Sequence, residues 1–270
     1  MSIKGELEWF GRTLSKDLKR VRIVPLADVH YGNPLCSIKH FERVVKFIKD
    51  NEDVYAILGG DLCESVTIAS KGDIYHQSVC PEMQRDNMIE FLTPIKHKIL
   101  GMVTGNHEMR IKEIDISKDI AKSLNTPYRP EGILLKISFG SGNERHIEKP
   151  YTYWGYISHG YGGARTKSAK AIKVERVSTW IHADFYVLSH DHVVNIAPDI
   201  YLLPDNRGTL DSKTGFITGK VVAKRKMLVK SNAFLKWGNY SESGGFPPSD
   251  LEPVVINLAG EGKPRVNVGV

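Results

Sequence analysis

Five short apolar runs in this chain each end in a cluster of acidic, amide or imidazole side chains, and that recurrence restricts the fold more than any other feature. Val21–Ala27 leads into Asp28-Val29-His30, and Val54–Leu58 into Gly59-Gly60-Asp61. Ile99–Val103 leads into Gly105-Asn106-His107-Glu108, Tyr156–Ser158 into His159-Gly160, and Phe185–Leu188 into His190-Asp191-His192. Runs this short and this uniformly apolar read as strands buried on both faces, the pattern of a sheet covered by helices. Open α/β sheets build their sites beyond the carboxyl ends of such strands. The clusters are therefore expected to meet on one rim.

Helical periodicity fills the gaps between the early runs. Ser37 stands where it can cap a helix reaching about Asp50, with Phe41, Val44, Val45, Phe47 and Ile48 as its apolar stripe. Glu82–Leu92 and Asp115–Leu124 read as two more helices, which gives the first half a β-α-β-α-β-α order. Residues 65–81, broken by Gly72, Asp73 and Pro81, read as an irregular insertion. In the second half Ile133–Phe139 and Ile147–Ile157 read as strands joined at Gly140-Ser141-Gly142-Asn143, and Ser168–Ala183 as a helix. Val194–Leu202, Phe216–Val222, Lys226–Phe234, Pro253–Leu258 and Arg265–Val268 add further strands. The fold expected is α/β: a four-layer α/β/β/α sandwich with two packed mixed sheets, in one domain over residues 1–270. Within residues 1–20, Trp9, Phe10, Leu14 and Leu18 fall near helical spacing and predict a short terminal helix.

A chain of 270 residues suffices for such a core. Its formal net charge of +6 leans toward anionic partners such as nucleotides or nucleic acid, although surplus surface lysine explains the charge equally well. Cys36, Cys63 and Cys80 are odd in number and lack a CxxC spacing, which argues against a disulfide framework or zinc knuckle and fits a reducing cytoplasm. No stretch has the make-up of a signal peptide or a membrane span. A cytoplasmic protein without a membrane span is expected, and the oligomeric state is left open.

The clustered side chains suit metal ions. In extended backbone, residues two apart point to the same side, so Asp28 and His30 address one ion together and His190 and His192 one site. Asp61 follows a flexible Gly-Gly pair and has two oxygens with which to bridge two ions. Asn106 offers a neutral oxygen and His159 a further imidazole. Imidazole mixed with carboxylate suits manganese, iron, zinc, nickel or cobalt rather than calcium or magnesium alone. Two such ions roughly 3.5–4 Å apart clamp an in-line displacement at phosphorus.

In this order, over residues 28 to 192, the motifs D-x-H, G-D, G-N-H-E, H-G and H-x-H resemble the calcineurin-like metallophosphoesterase superfamily. The resemblance implies two divalent metal ions, manganese first among them, at the edge of the sandwich. It implies that Asp28, His30 and His192 hold the first ion, that Asp61 bridges, and that Asn106, His159 and His190 hold the second. It also implies that His107 binds no metal but stands near the leaving group, where its protonated form supplies a proton while a metal-bridged hydroxide attacks phosphorus. The implied activity is hydrolysis of phosphate esters, phosphodiesters before monoesters, by a nuclease or nucleotide phosphodiesterase. A phosphomonoesterase with the same site is the alternative. A non-catalytic metal-binding or interaction module of the same fold is the alternative from another class, against which the complete ligand set argues.

Departures from the family pattern narrow the substrate. The protein-phosphatase branch carries G-D-x-x-D-R-G, whereas Gly60-Asp61-Leu62-Cys63-Glu64-Ser65 lacks the arginine, which disfavours a phosphoprotein. Glu64 occupies the second acidic position, where it either orients His107 or is solvated. Asp191 replaces the threonine of Gly-His-Thr-His and is expected to face solvent. Tyr31 is a candidate to stack on a base, and Arg165, Lys167 and Lys170 to track a phosphodiester backbone. Lys224-Arg225-Lys226 and Lys236-Trp237-Gly238-Asn239-Tyr240 mix basic and aromatic residues, as single-stranded nucleic acid binding requires. His40, His76, His97, His146 and His182 read as structural, with His76 alone expected to approach the site.

Overall fold

The apolar runs pair as the strand reading requires. In the computed structural model, which describes residues 7–70, 72–142, 149–238 and 240–270, β2 (Arg20–Leu26), β3 (Val54–Leu58) and β4 (Ile99–Met102) lie parallel and adjacent. β10 (Val255–Ala259) and β11 (Val266–Gly269) extend this first sheet antiparallel, in the order β11-β10-β2-β3-β4. The second sheet contains β1 (Trp9–Thr13), β5 (Ile133–Phe139), β6 (Tyr151–Ser158), β7 (Phe185–Leu188), β8 (Asn195–Leu210) and β9 (Ile217–Lys230). Its order is β1-β5-β6-β7-β9-β8, with β6, β7 and β9 mutually parallel and β5 and β8 antiparallel to their neighbours β6 and β9. Both sheets are mixed.

Alternation along the strands divides the apolar side chains into three layers of core. Val21, Ile23 and Ile57 of the first sheet meet Ile137, Tyr153, Phe185 and Val229 of the second between the sheets. The other face of the first sheet, with Val24, Leu26, Ala56 and Leu58, is covered by α1 (Ile38–Asp50), α2 (Pro81–Leu92) and α3 (Ile116–Ser123). On α1, Phe41, Val44, Val45 and Ile48 are the buried residues, one stripe at helical spacing. Outside the second sheet, Val174 and Val177 of α4 (Lys167–Trp180) cover Tyr186, Leu188 and Leu228. This is the four-layer α/β/β/α arrangement.

Three local expectations change. Trp9–Thr13 is a strand rather than a helix, because β5 offers an open edge that it fills in parallel, and Trp9 packs edge-on against Trp154 with ring centres 5.6 Å apart. Phe216–Val222 and the first part of Lys226–Phe234 form one continuous strand, β9, which with an extended β8 makes a long hairpin. His76 lies on an exposed 3-10 turn and pairs with Asp73 at 3.0 Å rather than with a residue of the rim. Asn143, His146, Ile147 and Asn239 lie outside the described residues, as do residues 1–6. Among the described residues no helix is long and apolar enough to cross a membrane.

Candidate metal centre

The rim beyond β2, β3, β4, β6 and β7 is built from backbone that L-residues rarely adopt. Asp28, His30 and Asp61 each have φ of 51°, His190 has 73° and His192 has 55°. Left-handed conformation in non-glycine residues costs on the order of 1–3 kcal/mol each and persists where surrounding contacts impose it. Here Asp28 N donates to the Gly60 carbonyl and His30 N to the Asp61 carbonyl, both at 3.0 Å, while His190 N donates to Asp28 Oδ2 at 2.9 Å. Asp28 and His30 do share one site, but through paired left-handed turns and not through extended backbone. A Cβ on Gly105 would stand 2.0 Å from Asp61 Oδ1, so only glycine lets the β4 loop approach this carboxylate.

The side chains converge in two groups. His30 Nε2 lies 3.1 Å from His192 Nε2 and 4.0 Å from Asp28 Oδ1, and His192 Nε2 lies 3.5 Å from the same oxygen. In the second group His159 Nε2 lies 3.2 Å from Asp61 Oδ2, 3.2 Å from Asn106 Oδ1 and 3.3 Å from His190 Nδ1. Asp61 Oδ2 is also 3.9 Å from His30 Nε2, so this carboxylate stands between the groups. Each group draws on both sheets. Asp28, His30, Asp61 and Asn106 follow strands of the first, and His159, His190 and His192 strands of the second.

The outward-facing nitrogens set the tautomers. His30 Nδ1 faces Glu64 Oε2 at 3.0 Å, His159 Nδ1 faces the Gly59 carbonyl at 2.8 Å, and His190 Nε2 faces the Gly162 carbonyl at 2.6 Å. Each of these nitrogens donates its hydrogen to an oxygen, which turns the other nitrogen of the ring into the site as a potential ligand. Asp28 Oδ1 is buried with no hydrogen-bond partner. A buried, unsatisfied carboxylate oxygen is costly without a compensating charge, and three imidazole nitrogens aimed beside carboxylates supply the N and O donors of a transition-metal site. The residues present fit divalent cations.

The charges agree with that donor set. Burial raises the Asp28 pKa, but His192 and His159 outweigh it and hold the group down at about 2. Asp61 is held well below the usual carboxylate range by His159 and His107, against the effect of burial. Burial lowers the His159 pKa, yet the Asp61 carboxylate beside it, with Asp28 and the Gly59 carbonyl, raises it to about 10. His30 and His190 are both lowered, first by burial and then by a neighbouring imidazole, which keeps them neutral. Without cations, then, His159 carries the proton of the cluster.

A third group, His30, Glu64 and His107, also gathers donor atoms closely, but its members are largely committed to one another. Glu64 is 7 % exposed, faces His30 Nδ1, lies 3.4 Å from His107 Nδ1 and pairs with Arg110 Nη1 at 3.3 Å. It is buried between the two histidines and not solvated. His107 N donates to Asp61 Oδ1 at 2.8 Å, and His107 Nε2 lies 2.9 Å from Arg110 Nη2. Burial lowers the His107 pKa, but Asp61 and Glu64 raise it more.

Three groups were not read as site residues from the sequence. Glu108, 2 % exposed, accepts from Asp61 N, Leu62 N, Cys63 N and Gly105 N and so fastens the β3 loop to the β4 loop. Burial and the Asp61 carboxylate push its pKa up, against these donors, and an ionised carboxylate is the form with no hydrogen to place against four N–H groups. Arg110 brings a positive charge to the His107 edge. Lys230, fully buried, pairs with Asp191 Oδ2 at 2.7 Å. Asp191 does not face solvent: Lys173 pairs with its other oxygen at 2.7 Å and Lys170 donates to its carbonyl at 2.9 Å, so the loop between His190 and His192 is held by three lysines. The signal for Lys230 was present, since Met227-Leu228-Val229 is one more apolar run ending in polar residues, Lys230-Ser231-Asn232.

The residues expected at the substrate are distributed unevenly. The Tyr31 ring packs edge-on against Phe91 and its hydroxyl accepts from Asn87 Nδ2 at 2.9 Å, so the side chain serves the contact with α2. Lys170 points inward to Asp191 and leaves the basic track. Arg165 and Lys167 are exposed on the loop whose Gly162 carbonyl meets His190, and the Arg165 guanidinium lies 4.9 Å from the Phe246 ring. Trp237 donates to the Phe246 carbonyl at 2.8 Å on the same side.

Comparison with known proteins finds no matching family model and no matching curated protein. Solved structures do align. A conserved uncharacterised protein of Streptococcus pneumoniae, a predicted phosphoesterase, covers 93 % of this chain and 90 % of its own at 11 % identity, with a TM-score of 0.41. Vps29 of Entamoeba histolytica complexed with zinc covers 92 % and 98 % at 9 % identity, with a TM-score of 0.36. GAP50, the anchor in the inner membrane complex of Plasmodium, covers 92 % and 83 % at 12 % identity, with a TM-score of 0.42. Likenesses this distant assign no chemistry, which must come from the site itself.

Proposed function

We propose that this chain is a metal-dependent phosphoesterase that hydrolyses phosphodiesters, as a nuclease or nucleotide phosphodiesterase, with two divalent cations, manganese first. Asp28, His30 and His192 would hold one cation, and Asn106, His159 and His190 the other, with Asp61 between them. The observation that carries the reading is the set of imidazole nitrogens whose hydrogens are committed to Glu64, Gly59 and Gly162, around Asp61 and an Asp28 whose Oδ1 is buried without a hydrogen-bond partner. When bound, such cations supply Lewis acidity, acidifying water and neutralising charge at phosphorus.

The chain's own residues supply the rest. Asp61 turns Oδ2 to the space between the two groups while its Oδ1 is fixed by His107 N. His107, steered by Glu64, would give a proton to a departing oxygen once its Nε2, which accepts from Arg110 at 2.9 Å, has taken one up. Arg110, paired with Glu64 and set against His107 Nε2, adds a fixed positive charge at this edge of the site. Arg165 and Lys167, exposed beside the His190 loop, favour an anionic chain over a small monoester.

Turnover of bis-p-nitrophenyl phosphate against p-nitrophenyl phosphate, with added Mn²⁺, tests the reading. Faster diester cleavage supports it, a monoester preference moves the activity to the phosphomonoesterase class, and bound metal without turnover of either overturns it as an enzyme. His107→Ala is expected to lower kcat by about 100- to 1,000-fold while metal content stays at the wild-type value. Loss of metal in that variant would contradict the proton-donor role.

Metal uptake should also depend on pH in a fixed direction. The raised His159 pKa stabilises the metal-free fold fully below the ordinary value of 6.5, and that contribution is lost as pH rises through about 10. A cation taking Nε2 displaces this proton, so affinity rises by about tenfold per pH unit below that value. Calorimetry in buffers of different ionisation enthalpy measures the released proton. Affinity independent of pH across neutrality would show that His159 is not displaced.

A further inference from the structure

The long hairpin of β8 and β9 leaves the body of the protein as a two-stranded ribbon. On β9, Met227 and Val229 are buried between the sheets, with Ile196 of β8 packed beside them. Continuing away from the core, the register pairs Ile200 with Arg225, Leu202 with Ala223 and Leu210 with Ile217. Because alternate residues share a face, these pairs and Val221 extend the core-facing side of the second sheet past the point where the first sheet covers it. The opposite face carries Tyr201, Lys220 and Lys224 and the threonine pair Thr209 and Thr218, with Leu203 and Val222 as its apolar exceptions.

The uncovered face carries large apolar side chains on both sides of an irregular stretch between Pro204 and Gly208. Ile200 is 65 % exposed, Leu202 68 %, Leu210 59 %, Ile217 71 % and Val221 62 %. Five such side chains leave on the order of 500 Å² of apolar surface, at the size where an exposed patch on a soluble chain marks an interface. A two-stranded ribbon is itself marginal in water without a third layer. Among the residues paired in register, Arg225 at the base is the one charged residue on this face, and in the irregular stretch between Pro204 and Gly208 the charges of Asp205 and Arg207 are paired with each other. The lysines stand on the other face, so the strip has no means of selecting a nucleic acid or a charged peptide.

We propose that this strip packs against the same strip of a second copy of this chain, making a homodimer through paired arms. A flat apolar face that complements itself is what an isologous twofold contact uses. Two ribbons stacked face to face reproduce sheet-on-sheet packing and continue each inter-sheet core into its neighbour. The strip with its rim approaches the roughly 800 Å² per partner of a stable interface. The arms leave the sheet at the end opposite Lys230, where β9 reaches the metal centre, so pairing keeps both centres open.

Sedimentation of the full chain at micromolar concentration tests the proposal. The wild type is expected at twice the chain mass. Leu202→Lys combined with Ile217→Lys is expected at one chain mass, with self-association weakened by more than about 100-fold. Both positions are exposed, so the double variant should keep the wild-type circular dichroism and metal content, while its unfolding midpoint loses the concentration dependence expected of the dimer. Lys224→Glu, on the opposite face, should remain dimeric. A wild type that stays at one chain mass, or a double variant that stays dimeric, overturns the proposal. So does a monomer that binds lipid vesicles or single-stranded DNA through these same residues.

Discussion

Replacing Glu108 with glutamine should destabilise the protein by about 3 kcal/mol, although the two side chains have nearly the same shape. Glu108 Oε1 accepts from Leu62 N at 2.6 Å and Cys63 N at 3.0 Å, and Oε2 accepts from Asp61 N at 3.0 Å and Gly105 N at 3.1 Å. Glutamine has one acceptor oxygen, so its amide nitrogen must face two of these N–H groups. Each buried donor left without an acceptor costs about 1–3 kcal/mol. For a chain of this size the loss corresponds to a Tm lowered by roughly 6–12 °C. Thermal and urea unfolding of the metal-free protein measure it, and an unchanged midpoint would mean that the loop is held by other contacts. Glu108→Asp retains the charge but shortens the reach, and it should fall between the two.

Asp61→Asn should affect chemistry more than folding. The asparagine oxygen can still accept from His107 N, which Asp61 Oδ1 does at 2.8 Å, so the loop keeps its anchor. What changes is the oxygen between the two groups, 3.2 Å from His159 Nε2 and 3.9 Å from His30 Nε2. It becomes either a neutral oxygen or an N–H donor pointing at cations. We expect the number of tightly held cations to drop below two per chain and diester turnover to fall by about 1,000-fold, close to 4 kcal/mol of barrier. Metal analysis after gel filtration and single-turnover rates check the two parts separately. Two cations retained with undiminished turnover would remove Asp61 from the mechanism. A parallel loss from both Asp61→Asn and His107→Ala, with metal lost only in the first, would separate the two roles.

The strands that build the rim were readable because burial on both faces leaves an uninterrupted apolar run, and Ile133–Phe139 and Phe185–Leu188 have the bounds their apolar residues suggest. The helices were readable where one face is buried, as on α1. Trp9–Thr13 was not, because an edge strand that pairs with β5 needs no alternation of its own and its spacing imitates a helix. The seven clustered side chains were legible as residue types past strand ends. Their left-handed backbone was not, since Asp and His tolerate that region without announcing it. Asp191 misled because an aspartate between two histidines reads as solvated, while the lysines that bury it come from α4 and β9, far away in sequence. Lys170 and Lys173 likewise count as surface charge on a helix until α4 is packed against that loop.

Each donor group takes some members from one sheet and the rest from the other. Away from the rim the two sheets are joined by the apolar layer between them and by hydrogen bonds such as that from the Tyr153 hydroxyl to the Ala259 carbonyl. Any cation seated at the rim would act as a rivet through both plates. Its binding energy would be spent on holding the halves in alignment as well as on the reaction. Whatever lets the plates slip would loosen the rivets before it exposed the layer between them.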